Sequence, residues 1–186
     1  MEEFIDIVTK EGKPTGQSAS KYDIHSHGYY HNTAHVWLYT KSGQILLAQR
    51  AASKAICPLL WDVSVAGHID AGEPIRSAAV REVNEEIGLT ISENDLELIG
   101  IFESFQSYET GVIDNEFHHT FMAELKVEII DLNLQKEEVE AVKLVSLKDF
   151  NNIIEHIGQD NHFVAHNKKY YEIVLAALTA KINSIK

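Results

Sequence analysis

The segment GHIDAGEPIRSAAVREVNEEIGL, Gly67 to Leu89, places five acidic residues in one short stretch: Asp70, Glu73, Glu82, Glu85 and Glu86. Pro74 suits the first turn of a helix and Gly88 the left-handed position past its end, so the spacing predicts a helix over 74–87. At roughly 100° per residue, Ile75, Ala79, Val83 and Ile87 form an apolar stripe. With Ala79 at zero, Glu82, Glu85 and Glu86 fall at about −60°, −120° and −20°. The acidic stripe therefore lies beside the apolar one, with Glu86 at the edge of the buried face. Like charges three and four apart repel on a helix. A carboxylate at a buried edge is costly unless a cation or strong donors meet it.

A solvated acidic face, with Arg81 pairing Glu85 one turn on, is one explanation of such a helix. A divalent ion is the other: carboxylates at i, i+3 and i+4 converge, and Mg²⁺ favours carboxylate oxygens with waters and substrate phosphates. The wider pattern decides between them. It reads G-x5-E-x7-R-E-U-x-E-E-x-G-U, with U aliphatic. Gly67, Glu73, Arg81, Glu82, Val83, Glu85, Glu86, Gly88 and Leu89 fill every fixed position. With average residue frequencies, a chance match in a chain of this length is on the order of 10⁻⁷. The sequence thus resembles the Nudix hydrolase family.

The resemblance implies an α/β fold, an α/β/α sandwich with a mixed β-sheet and a catalytic loop-helix-loop. It implies hydrolysis of a diphosphate linkage in a small molecule, with Mg²⁺ or Mn²⁺ as cofactor and water attacking phosphorus. Carried over by position, Glu82, Glu85 and Glu86 are the expected metal ligands, joined by the backbone carbonyl of Ala66. Arg81 is expected to orient Glu82 or Glu85, and Glu73 to brace the loop before the helix. The general base stays open between a glutamate of the motif and a carboxylate from a later loop. The substrate also stays open, among isoprenoid diphosphates, nucleoside diphosphate sugars, dinucleotides and damaged nucleotides.

Outside the motif, LLAQRAASKAICPLLWDVSVAGHIDAGE is similar to the corresponding region of isopentenyl-diphosphate isomerases, which are Nudix relatives. That likeness implies further metal ligands: His68 after Gly67, His31 with His25 as a second candidate, and Asp114 and Glu116 in VIDNEF. A His/carboxylate cluster of this kind suits a divalent metal. Arg50 and Lys54 match a basic pair that faces substrate phosphate in the isomerase. One departure matters. The isomerase carries its proton-transferring cysteine immediately before the Gly-His pair, where this chain has Ala66. Cys57 lies nine residues upstream. A methyl group carries no proton, so the pattern implies a hydrolase in the isomerase-like branch rather than an isomerase. A ligand-sensing domain without catalysis is the third possibility, but such domains usually lose motif carboxylates and this chain keeps all of them.

The rest of the chain bounds these expectations. Its 186 residues suit a single domain, divided as an N-terminal strand and loop (1–30), a core (31–150) and C-terminal helices (151–186). The net charge of −12 and the absence of a Lys/Arg cluster argue against nucleic acid and anionic membrane as partners. The acidic start, the lack of a long apolar run and a single cysteine suggest a cytoplasmic protein. Dimers are common in the family, and no exposed apolar stripe in the sequence demands a homodimer. Strands are expected at 4–8, 34–40, 44–50, 61–67, 96–105, 117–125 and 140–147, with 34–50 forming a hairpin. Residues 10–16 read as a turn and 17–32 as a loop or short helix. Ser146 is the expected N-cap of a helix over 146–158, and 161–186 read as another. Trp37 and Trp61 read as core residues. His118 and His119 should face opposite sides of their strand. His156, His162 and His166 read as structural residues of the tail helices.

Overall fold

The computed structural model describes residues 3–159, 162–165 and 167–185; His166 lies outside the described residues. The elements run β1 (Phe4–Val8), β2 (Pro14–Ser20), α1 (Lys21–His27), β3 (His31–Tyr39), β4 (Gln44–Arg50), β5 (Trp61–Asp62) and β6 (Val65–His68). They continue through α2 (Ile75–Ile87), β7 (Glu97–Ser107), β8 (Ile113–Glu124), β9 (Val139–Ser146), α3 (Leu147–Glu155) and α4 (Lys168–Ser184). No helix among the described residues is long and apolar enough to cross a membrane.

The strand β3 is central. It runs parallel to β8 and antiparallel to β6, and β7 extends the sheet antiparallel to β8. Its alternate residues serve two cores. Ala34, Val36 and Leu38 pack with Ala78, Ala79, Val83 and Ile87 of α2. Trp37 and Tyr39 pack with Phe150 and Ile154 of α3 and with Tyr170, Tyr171, Val174 and Leu178 of α4. Helices therefore cover both faces of a mixed sheet, the α/β/α sandwich that the resemblance implies.

The hairpin of β3 and β4 parts after its turn. The two strands pair only at Tyr39 and Ile45, and β4 then pairs with β9 and β5. The segment expected as one strand over 61–67 fills the gap in two halves, β5 on β4 and β6 on β3. Ser64 stands at the changeover. Its fully buried hydroxyl accepts from Leu38 N at 2.9 Å and donates to Leu46 O at 2.6 Å. One side chain thus replaces the backbone ladder where the strands splay.

Other expectations need correction. Residues 14–20 form β2, which takes in the end of the expected turn and pairs with β1, and only 21–27 form the short helix. Most of β2 is exposed, so it carries no alternation to read. The last helix starts at Lys168, with Asn167 Oδ1 accepting from Lys169 N, and Phe163 upstream bridges Trp61 instead. Ser146 does cap α3 by accepting from Asp149 N at 3.0 Å. His156 sits at the C-cap of α3, while His162 precedes α4. Trp37 is fully buried, but Trp61 is half-buried and carries Lys143 Nζ 3.8 Å above its ring. Leu98, Ile101 and Phe105 of β7 carry exposed apolar side chains.

Candidate functional site

Pro74 occupies the N-cap of α2 rather than its first turn, and Gly88 closes the helix at φ 68° with its N–H on Asn84 O. A Cβ at Gly88 would lie 2.8 Å from that of Asn133. The segment over 133–135 comes this close because it caps the helix: Asn133 N donates to Ile87 O and Gln135 N to Glu86 O. The three glutamates are buried in the order their helix angles predict. Glu86 is buried, Glu82 is mostly covered, and Glu85 has 52% of its side chain exposed.

Glu82 lies against the backbone of β6. A Cβ on Gly67 would fall 2.1 Å from its carboxyl carbon, so only glycine admits the carboxylate there. Burial raises the pKa of Glu82 to about 7, against the lowering effect of Arg81. Burial, then Glu82 and Glu138, push Glu86 well above the usual carboxylate range, while a backbone hydrogen bond from Ala66 opposes the shift. Arg81 ties the group together. Its Nε and Nη2 donate to the two oxygens of Glu73 at 3.1 and 2.9 Å. Its Nη1 donates to Glu82 at 2.7 Å and Glu85 at 3.1 Å, and Nη2 also reaches the carbonyl of His68. Glu73, beyond holding Arg81, accepts from Asp70 N.

A second group forms beside the first. His25 of α1, His31 at the start of β3 and His68 at the end of β6 bring ligand-capable nitrogens within 4.8 Å of one another. Register explains the meeting: β3 sets His31 beside Glu116 and Thr33 beside His68. His25 and His68 approach Nε2 to Nε2 at 3.2 Å. The other ring nitrogens face oxygens: Tyr29 O bonds His31 Nδ1 at 3.0 Å, while Asp114 Oδ1 lies 2.8 Å from His25 Nδ1 and Glu3 Oε1 3.5 Å from His68 Nδ1 without hydrogen-bond geometry. The Nε2 of His31 is buried without a hydrogen-bond partner, 3.4 Å from Glu116 Oε1.

The electrostatics divide the rings. Burial, reinforced by Lys21, holds His68 well below its ordinary pKa and keeps it a neutral donor of its lone pair. Burial opposes protonation of His31 too, but Glu116, the Tyr29 carbonyl and Asp114 outweigh it and raise the pKa. Burial also works against a charge on Glu116, yet His118 and His31 hold it well below the usual range.

Arg50 and Lys54 flank these groups, each already paired. Arg50 reaches Asp62 at 3.3 Å and the Ile56 carbonyl at 3.1 Å, and Lys54 pairs with Glu138 while lowering the pKa of Glu86. Ala66 stands on β6 opposite His35. Cys57 sits in the loop between β4 and β5, where burial raises its thiol pKa. A pocket of about 240 Å³ is lined by Phe102, Ser104, Gln106, His118, Asn167 and Tyr170 among others, and its His118 reaches Glu116. Glu3 and Tyr29 were not singled out from sequence. Their signal is spatial only, since one precedes β1 and the other acts through its carbonyl.

The NUDIX domain family model matches residues 29–166. Nudix hydrolase 3 of Arabidopsis thaliana is 36% identical over 157 residues, covering 82% of this chain; the chain spans only 20% of that protein. Isopentenyl-diphosphate Delta-isomerase 2 of Photorhabdus laumondii is 33% identical over 147 residues, covering 79% of each. The crystal structure of DR0079 from Deinococcus radiodurans shares the fold, with a TM-score of 0.64 at 18% identity over 92% of this chain and 98% of that one. With most of its length matched and the motif's Glu82 carboxylate set against Gly67, the chain belongs to the Nudix family.

Proposed function

We propose that this chain hydrolyses a diphosphate linkage in a small-molecule substrate with the help of Mg²⁺ or Mn²⁺. The observation that carries the reading is the placement of Glu82 and Glu86, two desolvated carboxylates beside β6. Their burial is unfavourable unless a cation neutralises them. The donor set fits that ion: Glu82, Glu85 and Glu86, with the carbonyl of Ala66, would hold it. The group of His25, His31, His68 and Glu116 fits a second divalent ion, because the His31 Nε2 is buried and unpartnered and three rings converge on it. Asp114 stays a candidate for that donor set: its buried Oδ1, 2.8 Å from His25 Nδ1, also lacks a hydrogen-bond partner.

A bound divalent ion supplies charge for the phosphoryl oxygens and lowers the pKa of a coordinated water. The chain's residues do the rest. Arg81 fixes the carboxylates of Glu82 and Glu85 through its fork of donors, and Glu73 fixes Arg81. Arg50 and Lys54 exchange their acidic partners for substrate phosphate. The acidic surface favours a small molecule over a nucleic acid or a membrane as partner.

Replacing Glu86 by Gln tests the reading. Phosphomonoester formation from a panel of diphosphates with Mg²⁺ or Mn²⁺, read as phosphate after a coupling phosphatase, should be lost while the thermal melt stays cooperative. Turnover equal to the parent's would refute the ligand assignment. Likeness to the isomerase favours one second reading, double-bond isomerisation, which Ala66 opposes by offering no titratable group. Deuterium uptake into isopentenyl diphosphate from D₂O decides it: no uptake eliminates isomerisation.

A further inference from the structure

We propose that His118 is a positioning residue that holds the Glu116 carboxylate in its metal-facing orientation and is itself locked by His35 and by Tyr170 of α4. The inference rests on the second metal group proposed above and extends it to residues outside the ligand set.

His118 is 1% exposed, and its Nε2 lies 2.7 Å from Glu116 Oε2. A carboxylate that binds a metal is ionised and can only accept, so in the proposed arrangement His118 Nε2 is the donor. With Oε2 engaged, Oε1 is the oxygen left facing His31. The parallel register of β3 and β8 explains the geometry. His31 stands beside Glu116 and Thr33 beside His118, so Glu116 and His118 share one face of β8, two residues apart.

The ring of His118 is fixed in turn. It stacks on the ring of His35 with centroids 4.0 Å apart and planes at 25°. His35 Nδ1 lies 2.8 Å from the Tyr170 hydroxyl, which also accepts from Trp37 Nε1 at 3.0 Å. Tyr170 is the residue through which α4, remote in sequence, enters this chain of contacts. Outer partners of this kind set the orientation and basicity of metal ligands, and their loss costs about 10- to 100-fold in metal affinity.

The test is Co²⁺ titration followed by visible absorption, in excess Mg²⁺ so that the carboxylate-only site is filled by the hard ion. His118→Leu removes the donor, and His118→Gln returns an amide N–H at similar reach. The Leu variant should bind Co²⁺ about 10- to 100-fold more weakly, with an altered spectrum, and the Gln variant should recover most of the loss. A merely structural role predicts no such rescue of the spectrum. Equal affinity and spectrum in parent and Leu variant would overturn the inference and leave the metal group standing. A parent that binds no Co²⁺ would overturn both. Should the Leu variant fail to fold, ¹⁵N histidine NMR of the parent decides: a proton on Nε2 of His118, with and without Zn²⁺, supports the inference, and a bare Nε2 overturns it.

Discussion

Gly67 and Glu82 are so close that a methyl group on the first would overlap the carboxyl carbon of the second at 2.1 Å. The glycine of the motif is therefore a contact rather than a hinge: the strand gives up a side chain so that a helix can press a carboxylate against its backbone. Gly67→Ala should leave the fold intact and displace Glu82. With Glu82 as a proposed metal ligand, a shift of about 1 Å there should lower turnover by roughly 100-fold. Steady-state kinetics beside a thermal melt would check this, and unchanged turnover would contradict it.

Arg81 uses its fork on Glu73, Glu82, Glu85 and the His68 carbonyl at once. Lysine retains the charge but has neither the planar fork nor the reach to serve all four. Arg81→Lys should reduce activity by about 10- to 100-fold, as loss of an orienting partner does, with a raised Mg²⁺ requirement. The dependence of rate on Mg²⁺ concentration is the measurement.

The burial of Glu82 makes metal-free stability depend on pH. Its folded pKa of about 7 stands above its ordinary 4.5, so between those values the folded chain binds the extra proton. Stability then falls as pH rises through that window, by roughly 3 kcal/mol for Glu82; Glu86 shifts in the same direction. In EDTA the melting temperature should drop between pH 5 and pH 8, saturating Mg²⁺ should reverse the drop, and Glu82→Gln should flatten it. A profile unchanged by Glu82→Gln would contradict the shift.

Ser64 offers a purely structural test. Ser64→Ala removes the hydroxyl that bridges Leu38 N and Leu46 O in the core. Leaving buried groups unsatisfied costs about 2 to 4 kcal/mol in total, or roughly 5 to 15 °C in melting temperature for a chain of this size. Differential scanning calorimetry would measure it.

The sequence disclosed what periodicity and spacing can carry. The angles of Glu82, Glu85 and Glu86 relative to Ala79 ranked their burial correctly, because a regular helix with a clear apolar stripe leaves no freedom in that order. The histidine group was partly visible: His31, His25, His68, Asp114 and Glu116 came from resemblance, while the 2.8 Å approach of Asp114 to His25 came only from three dimensions. Long-range pairings hid the rest. Nothing local announces that WDVSVAG changes strand partner at Ser64, that exposed PTGQSAS pairs with β1, or that Tyr170 touches His35 across 135 residues. Glu3 reaches His68 from outside any motif.

The most direct test of the central claim is Mn²⁺ stoichiometry by electron paramagnetic resonance, with a slowly hydrolysed diphosphate present, in the parent and in Glu86→Gln. The account predicts that the variant loses one bound ion while staying folded, whatever the histidine group retains. Equal stoichiometry and affinity in the two proteins would show that the buried glutamates hold no metal, and would contradict the proposed hydrolase.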